Sequence, residues 1–248
     1  MRYFIEFAYN GKNYHGFQSQ PDASSVQETL EKALSTLFRE SITIVGAGRT
    51  DTGVHAKQMF AHFDSELELD SVYWSHKLNS FLPPSIVILK IFQVSDEAHA
   101  RFDATSRTYE YYLHTFKDAF ISESSWYHSN PLDIDKMNEA CSILMKYLDF
   151  ECFSKVHTDV STFNCKITAA HWQQKGNQLI FTITADRFLR NIVRAIVGTM
   201  VNIGLGKIEV ADLHQIISSK DRGKAGFSVP AHGLYLVNVS YPYIEQHN

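Results

Sequence analysis

Cysteine is scarce in this sequence, and its spacing is irregular. Only three cysteines occur, Cys141, Cys152 and Cys165, and no two of them form a C-x-x-C pair. An odd number of widely spaced cysteines argues against both a disulfide framework and a structural zinc site. We therefore expect three buried thiols in a reducing compartment, which indicates a cytoplasmic protein.

Long hydrophobic runs and low-complexity tracts are also lacking. No apolar stretch approaches the roughly 18 residues that a membrane-spanning helix needs. Residues 1–7 interleave charged and apolar side chains, unlike a secretory leader. No Pro/Gly/Ser-rich stretch marks a long linker. With 248 residues, of which 44% are hydrophobic, the chain can bury one large core or two smaller ones, and we expect no membrane partner.

An overall excess of positive charge is missing too. The 27 acidic residues outnumber the 23 Lys and Arg, for a formal net charge of −4. This balance argues mildly against a nucleic-acid partner, because phosphate binding depends on Lys and Arg. The distribution is uneven, however: residues 187–224 carry seven Lys/Arg against three Asp/Glu, whereas residues 64–70 are acidic. One basic face therefore remains compatible with nucleic acid.

Hydrophobic periodicity predicts an α+β protein in two halves, 1–105 and 106–248, with a cleft between them. The clearest helix start is a capping box at Ser25–Glu28. Strands are expected at 2–9, 42–45, 59–63, 86–94, 108–115, 165–173, 178–185 and 234–239, and helices at 26–38, 70–82, 134–147, 188–203 and 210–218.

The segment Gly46–Ala56 is too polar for a core. It contains three glycines together with Asp51 and His55, and such glycines allow tight turns and the close approach of a ligand. Composition alone leaves open that Asp51 caps a helix or closes an Asx turn. The segment does not match the dinucleotide-binding motif, because Asp51 stands where G-x-G-x-x-G has its last glycine. A second glycine-containing segment, Gly204–Ile208, does not match the phosphate-binding Walker motif, because it lacks the Ser/Thr of that motif.

Nine consecutive residues, Gly48–Ala56, resemble the signature of the TruA family of tRNA pseudouridine synthases. The resemblance implies that Asp51 is the nucleophile that isomerises uridine to pseudouridine at positions 38, 39 and 40 of the tRNA anticodon stem-loop, without a cofactor. Tyr14–Gln20 resembles the family's Y-x-G-W-Q-x-Q loop. The substrate-binding residues that the resemblance implies in these two segments are Gln18, Arg49, Thr50, Thr52 and His55.

The predicted helix 188–203 has a broad apolar arc with Arg187, Arg190 and Arg194 just outside it. Taken alone, Arg187 and Arg190 are typical of a solvated basic edge. Residues 188–198 resemble the family's F-L-x-x-M-V-R-x-I-V-G, in which the last arginine pairs with the catalytic aspartate. This assigns the pairing role to Arg194, whose charge would keep Asp51 ionised.

Residues 99–111 resemble the family's H-A-R-F-x-A followed by R-x-Y-x-Y, and Tyr109 matches the active-site tyrosine. Its ring could stack on the target uracil and its hydroxyl could assist proton movement. Without the resemblance, Tyr109 and Tyr111 would be two aromatic residues on a strand. Candidate phosphate contacts are Arg49, Arg101, Arg107, Arg190, Lys207, Arg222 and Lys224.

Residues 225–226 and 230–236 resemble the family's C-terminal motif, so the resemblance spans nearly the whole chain. It implies the pseudouridine synthase fold, with two RRM-like or ferredoxin-like halves related by pseudo-symmetry around a central cleft. It also implies a homodimer that binds tRNA and needs no metal. Departures from the family pattern are Phe17, Ser19 and Phe227–Val229, and with the acidic net charge they bear on RNA affinity and target choice.

Two other function classes remain open. A non-catalytic RNA-binding protein on the same fold could lose Asp51, Tyr109 or Arg194, but all three are present. A metal-dependent hydrolase could use His55, His62 and His99, but no H-x-x-x-H or H-E-x-x-H pair accompanies the Asp51 segment.

Overall fold

The computed structural model describes residues 1–155 and 161–244. The chain folds into two compact units, one formed by residues 1–105 together with residue 235 onward, the other by residues 106–234. In chain order the strands are β1 (Arg2–Tyr9), β2 (Val45–Gly46), β3 (His55–Asp64), β4 (Ile86–Val94), β5 (Ser106–His114), β6 (Trp126–Tyr127), β7 (Ile167–Lys175), β8 (Gln178–Ala185) and β9 (Leu234–Ser240), and the helices are α1 (Val26–Phe38), α2 (Ser71–Phe81), α3 (Ile134–Leu144), α4 (Ile192–Gly204) and α5 (Asp212–Ser219).

The first unit has the element order β1-α1-β2-β3-α2-β4, and its sheet runs β4-β1-β3, with β2 antiparallel to β3 and β9 parallel to it. Helix α1 begins where the capping box predicted, since the Ser25 side chain accepts a hydrogen bond from the Glu28 N–H at 3.2 Å. The predicted helix 70–82 is confirmed as α2 (Ser71–Phe81). The sheet places both ends of β3 where loops can present functional side chains.

The strand predicted over residues 42–45 was wrong for residues 42–44. The N–H of Ile42 donates to the Ser35 hydroxyl and that of Ile44 to the Glu31 carboxylate, each at 2.9 Å. Side chains of α1 therefore occupy the backbone groups that a strand ladder would use. Only Val45–Gly46 pairs with β3.

The second unit has the order β5-β6-α3-β7-β8-α4-α5, with a sheet that runs β5-β8-β7 and with β6 parallel to β5. The helix predicted over 188–203 begins only at Ile192. Asn191 precedes it with a positive φ of 70°, a left-handed conformation that no α-helix continues through. Residues 186–191 instead form an irregular turn between β8 and α4.

Strands and helices mix in both units, which confirms the α+β class. The structure differs from the expected division into 1–105 and 106–248 at the end of the chain, because β9 pairs with β3: His55 lies opposite Tyr235. All three cysteines are buried and unpaired, as expected, and burial raises the pKa of each thiol to about 12. Within the described residues, no helix is both long and apolar enough to cross a membrane.

Candidate active site

Asp51 lies in the loop that joins β2 to β3 in the first unit, and its side chain is half-buried. The Val54 N–H donates to the Asp51 carbonyl oxygen at 3.1 Å and closes a tight turn whose third residue, Gly53, has a φ of +79°. The turn leads into strand β3, so Asp51 does not cap a helix. It belongs to a short turn fixed at both ends by sheet strands.

A second loop packs against this turn. The Phe17 N–H donates to the Thr50 carbonyl oxygen at 3.4 Å, and the Gly53 N–H donates to the Tyr14 carbonyl oxygen at 3.3 Å. Gly16 has a φ of +95°, and a Cβ added to it would lie 2.4 Å from the Thr50 oxygen, so only glycine fits this approach. The structure thus brings the Tyr14–Gln20 loop, with half-buried Gln18, next to the turn that carries Asp51.

The three residues around Asp51 differ in exposure. Thr50 is half-buried, and its hydroxyl forms a 2.9 Å hydrogen bond with the Tyr9 hydroxyl. Arg49 and Thr52 are exposed on either side of the Thr50–Asp51 pair. Thr50 therefore anchors the turn to β1, whereas Arg49 and Thr52 have side chains that a substrate can reach.

His55 is only 2% exposed, at the start of β3. Its Nδ1 accepts a 3.0 Å hydrogen bond from the Gly11 N–H, and its ring stacks on Tyr235 with centroids 4.6 Å apart. An Nδ1 that accepts a hydrogen bond carries no proton, so this contact selects the neutral imidazole with its proton on Nε2. In the structure, His55 supports the base of the Asp51 turn from inside the unit.

Tyr109 lies on β5 in the second unit, opposite Ile183 of β8. Its half-buried ring meets Phe188 at a centroid distance of 5.1 Å, with the two ring planes perpendicular at 90°. Phe188 belongs to the irregular turn before α4. This turn therefore positions the tyrosine ring without covering it completely.

Arg194 lies in the first turn of α4 and is half-buried. Its Nε donates to the Val229 carbonyl oxygen at 2.7 Å, while the Val229 N–H donates to the Arg194 carbonyl oxygen at 3.3 Å. The Tyr111 hydroxyl donates to the next carbonyl, that of Pro230, at 2.9 Å. Burial raises the pKa of Tyr111, and the positive charge of Arg194 opposes that rise.

The candidate phosphate-binding residues fall into two groups. Arg107 donates from Nη1 to the Asp186 carbonyl oxygen at 2.8 Å, and Arg222 donates to the Gly226 carbonyl oxygen at 2.9 Å, so both hold backbone segments in place. The remaining candidates have exposed side chains: Arg49, Arg101, Arg190, Lys207 and Lys224.

Arg101 does not lie near Asp51. The Ala100 N–H donates to Nδ1 of His62 at 3.1 Å, which fixes the turn containing Arg101 beside the end of β3. The Asp51 turn adjoins the beginning of β3 at His55. His62 lies seven positions after His55 along β3, a distance of about 23 Å at 3.3 Å per residue.

The sequence analysis did not predict four residues that contact and position the candidate site residues: Tyr9, Phe188, Val229 and Tyr235. Phe188 and Tyr235 belong to motifs that the sequence analysis recognised, so their positions in those motifs could have indicated a role near the site. The Val229 contact uses a main-chain carbonyl, which has no side-chain signature. Among residues 1–155 and 161–244, no three His, Cys, Asp or Glu side chains are grouped so as to hold a metal ion.

Comparisons with known proteins agree with the motifs. The family model described as tRNA pseudouridine synthase matches residues 6–103 and 147–242. A protein of Parabacteroides distasonis named tRNA pseudouridine synthase A is 54% identical over 242 residues, covering 97% of this chain and 96% of the relative. The protein of that name from Bacteroides thetaiotaomicron is 52% identical, covering 97% and 91%, and that from Francisella tularensis subsp. novicida is 37% identical, covering 97% and 94%. The resemblance first seen in Gly48–Ala56 is thereby confirmed, and the chain belongs to the tRNA pseudouridine synthase family.

Proposed function

We propose that this isomerase converts uridine to pseudouridine at positions 38, 39 and 40 of the tRNA anticodon stem-loop, with Asp51 as its nucleophile. The observation that carries the proposal is the match of the whole Gly48–Ala56 signature, placed by the fold on a tight turn between two sheet strands. The half-buried side chain of Asp51 is compatible with a carboxylate presented to a substrate.

The reaction rearranges one nucleotide. The bond from ribose C1′ to uracil N1 breaks, the base turns, and C1′ joins uracil C5, while the proton on C5 leaves to solvent and N1 acquires one. No electrons or groups are lost overall, so catalysis relies on a nucleophile, positioning and electrostatics and needs no cofactor. As the nucleophile or base, Asp51 can act by attack at C1′, by addition to uracil C6, or by removal of a sugar proton to form a glycal.

Arg194 is proposed to form the ion pair with Asp51. The bond from its Nε to the Val229 carbonyl oxygen supports this role, because it fixes the plane of the guanidinium. A planar guanidinium held in one orientation suits a carboxylate partner, which it can bind through two parallel hydrogen bonds. On this proposal Asp51 comes from the first unit and Arg194 from the second.

Tyr109 is proposed to stack on the target uracil and to assist proton transfer. The perpendicular contact with Phe188 supports this role, since it orients the ring while leaving it half-exposed. The target base must leave its stack at a cost of a few kcal/mol before it can meet such a ring. Arg49, Thr52 and Gln18 are proposed to contact RNA beside Asp51, with Thr50 and His55 holding the turn.

The two units are proposed to be RRM-like halves related by pseudo-symmetry. In support, the first unit contains the strand order β1-β3-β2, and the second contains β5-β8-β7 with the two-residue strand β6 at the side of β5. If β6 is left out, the first strand of each unit lies beside the third, and the third beside the second. We also propose that the enzyme acts in the cytoplasm as a homodimer that holds one tRNA.

Mapping of the modified nucleotides tests the substrate assignment. We expect pseudouridine, detected by carbodiimide adducts that stop primer extension, in transcripts with uridine at position 38, 39 or 40. Replacing that uridine with cytidine should remove the stop. Modification confined to another tRNA region would contradict the assignment, and RNA binding without any modification would favour the non-catalytic RNA-binding protein.

A further inference from the structure

Phe227 is a half-exposed aromatic residue beside the Arg194 contact. Its side chain is 50% exposed, and its ring meets that of Trp126 at 5.9 Å with the planes at 80°. It occupies a stretch, Phe227–Val229, where the chain departs from the family pattern, so the proposed catalytic role does not account for it. An aromatic ring of this exposure can bind a partner if its position is fixed.

The residues on either side of this ring are held by side-chain hydrogen bonds. The Gly226 N–H donates to the Thr199 hydroxyl at 2.7 Å, and the Gly226 carbonyl oxygen accepts from Arg222 at 2.9 Å. The Ser228 hydroxyl accepts from the Asn191 amide at 2.7 Å and from Arg222 at 3.0 Å. With the Val229 bonds to α4, every neighbour of the aromatic residue is fixed.

The backbone of Phe227 itself lies directly on α4. A Cβ added to Gly198 would lie 1.9 Å from the Phe227 carbonyl oxygen, so the two backbones are in close contact. Gly198 follows Arg194 by four residues and therefore lies on the same face of the helix. The ring is thus presented from a rigid support on the helix face that carries Arg194, and little conformational entropy is lost when it binds.

Two basic residues, Arg222 and Lys224, precede this ring closely in the chain. Arg222 lies under the loop, and Lys224, three residues before the ring, is exposed. On the Trp126 side, the pKa of His128 is lowered by burial and by the charge of Lys207, and the His128 and Trp126 rings are 5.0 Å apart. An aromatic ring flanked by Lys and Arg is the combination that grooves for single-stranded nucleic acid use.

We propose that Phe227, backed by Trp126, is a stacking position for one unpaired base of the tRNA, separate from the position of the target uridine at Tyr109. Lys207 and Lys224 neutralise the adjacent phosphates. Because the planes of the Trp126 and Phe227 rings are nearly perpendicular, at 80°, Trp126 does not stack in parallel on Phe227, and a base can take that position. This site rests on the proposed function for its ligand, and it accounts for tRNA binding by a chain with an acidic net charge.

Substitution of Phe227→Leu tests the site, since leucine keeps an apolar side chain but lacks an aromatic face. We expect the Kd for tRNA to weaken about 5- to 100-fold, the range for loss of one base-aromatic stack. Phe227→Tyr should stay within about twofold of the wild type because it keeps the face. The matched control is Phe120→Leu, which changes a 97% exposed phenylalanine in the same unit and should not alter Kd.

The salt dependence of binding separates stacking from charge. Phe227→Leu should weaken binding equally at every salt concentration, leaving the slope of log K against log salt unchanged. Lys224→Gln should reduce the magnitude of that slope by about 1, as expected for one lost phosphate contact. A Phe227→Leu protein with unchanged Kd, or a Phe227→Tyr protein as weak as Phe227→Leu, would overturn the proposal.

Self-association is measured on the same proteins by sedimentation. If Phe227→Leu weakens tRNA binding only where the protein dissociates into smaller species, the ring belongs to a protein interface and the proposal fails. Tritium release from [5-³H]uridine in tRNA keeps the two proposals distinguishable. A wild type that binds tRNA without releasing tritium contradicts the proposed catalysis, while the Kd comparison at Phe227 still stands.

Discussion

Arg194 and Val229 exchange two hydrogen bonds: the arginine Nε donates to the Val229 carbonyl oxygen at 2.7 Å, and the Val229 N–H donates to the Arg194 carbonyl oxygen at 3.3 Å. The pair ties the first turn of α4 to the loop that precedes β9. The arginine proposed to balance the charge of Asp51 thus also has a structural role. Its orientation depends on a main-chain acceptor about 35 residues along the chain.

Arg194→Ala should lower both stability and activity. Loss of the donor to Val229 leaves a part-buried carbonyl oxygen unsatisfied, which costs about 1–3 kcal/mol of unfolding free energy, and loss of the charge should reduce kcat. Urea denaturation and tritium release measure the two effects. The matched control, Lys136→Ala on an exposed position of α3, should change stability by less than about 0.5 kcal/mol. Full stability of Arg194→Ala would contradict the structural role.

Gly16→Ala should damage catalysis without touching a proposed catalytic residue. The added Cβ would lie 2.4 Å from the Thr50 carbonyl oxygen, so the turn that carries Asp51 must shift. Gly176→Ala is the control, because Gly176 also has a positive φ, of 60°, but open space around its Cβ position. We expect both variants to lose about 1 kcal/mol from the left-handed conformation, and only Gly16→Ala to lose kcat/KM. Equal activities would exclude this coupling.

His62 should make the protein less stable in mild acid. Burial, the charge of His99 and the charge of Arg2 lower the pKa of His62 to about 4, against 6.5 for an ordinary histidine. Above pH 6.5 the ring is neutral in both folded and unfolded chains and has no effect. As the pH falls from 6.5 to 4, the unfolded chain binds the proton first, so stability decreases, and below 4 the loss is complete.

His62→Asn isolates that contribution, because the asparagine oxygen can accept the Ala100 N–H without titrating. Tm is measured at pH 7.5 and pH 4.5 for both proteins. The wild type should lose more Tm than the variant over this interval. The other buried histidines titrate in both proteins, so equal losses would mean that His62 does not contribute.

Tyr109→Phe separates the two roles proposed for this residue. The variant keeps the ring and its contact with Phe188, so tRNA binding should stay near wild type. Loss of the hydroxyl should reduce kcat, by as much as the roughly 10²- to 10⁴-fold that acid–base catalysis typically contributes. Single-turnover kinetics with saturating enzyme measures this directly. An unchanged rate would leave Tyr109 with stacking alone.

The sequence correctly predicted those secondary-structure elements whose ends are fixed by contacts between residues close in the chain. The Ser25–Glu28 capping box located the start of α1 because the cap is a contact between residues three apart. Residues 42–44 were mispredicted because their backbone groups bond to side chains of α1. The late start of α4 likewise depends on Asn191, whose amide bonds to Ser228, far along the chain.

The residues of the candidate site were predicted from their match to family motifs. Composition and spacing alone predicted the position of a ligand-accessible loop but not the role of each residue in it. Glycine content and polarity marked the Asp51 segment as a loop that can meet a ligand, but left a cap or turn role open. The motif predicts that His55 contacts substrate, and the structure adds contacts of its ring with Gly11 and Tyr235 that the sequence did not predict. These partners come from β9 and from the segment after β1, and no local pattern connects them.

Tritium release from tRNA carrying [5-³H]uridine, without added metal or ATP, tests whether Asp51 is the catalytic nucleophile. Asp51→Asn keeps the size of the side chain but removes the nucleophile, so it should fold and bind tRNA as the wild type does. We expect release by the wild type and none by Asp51→Asn. Release by the variant at a rate near that of the wild type would contradict Asp51 as the nucleophile.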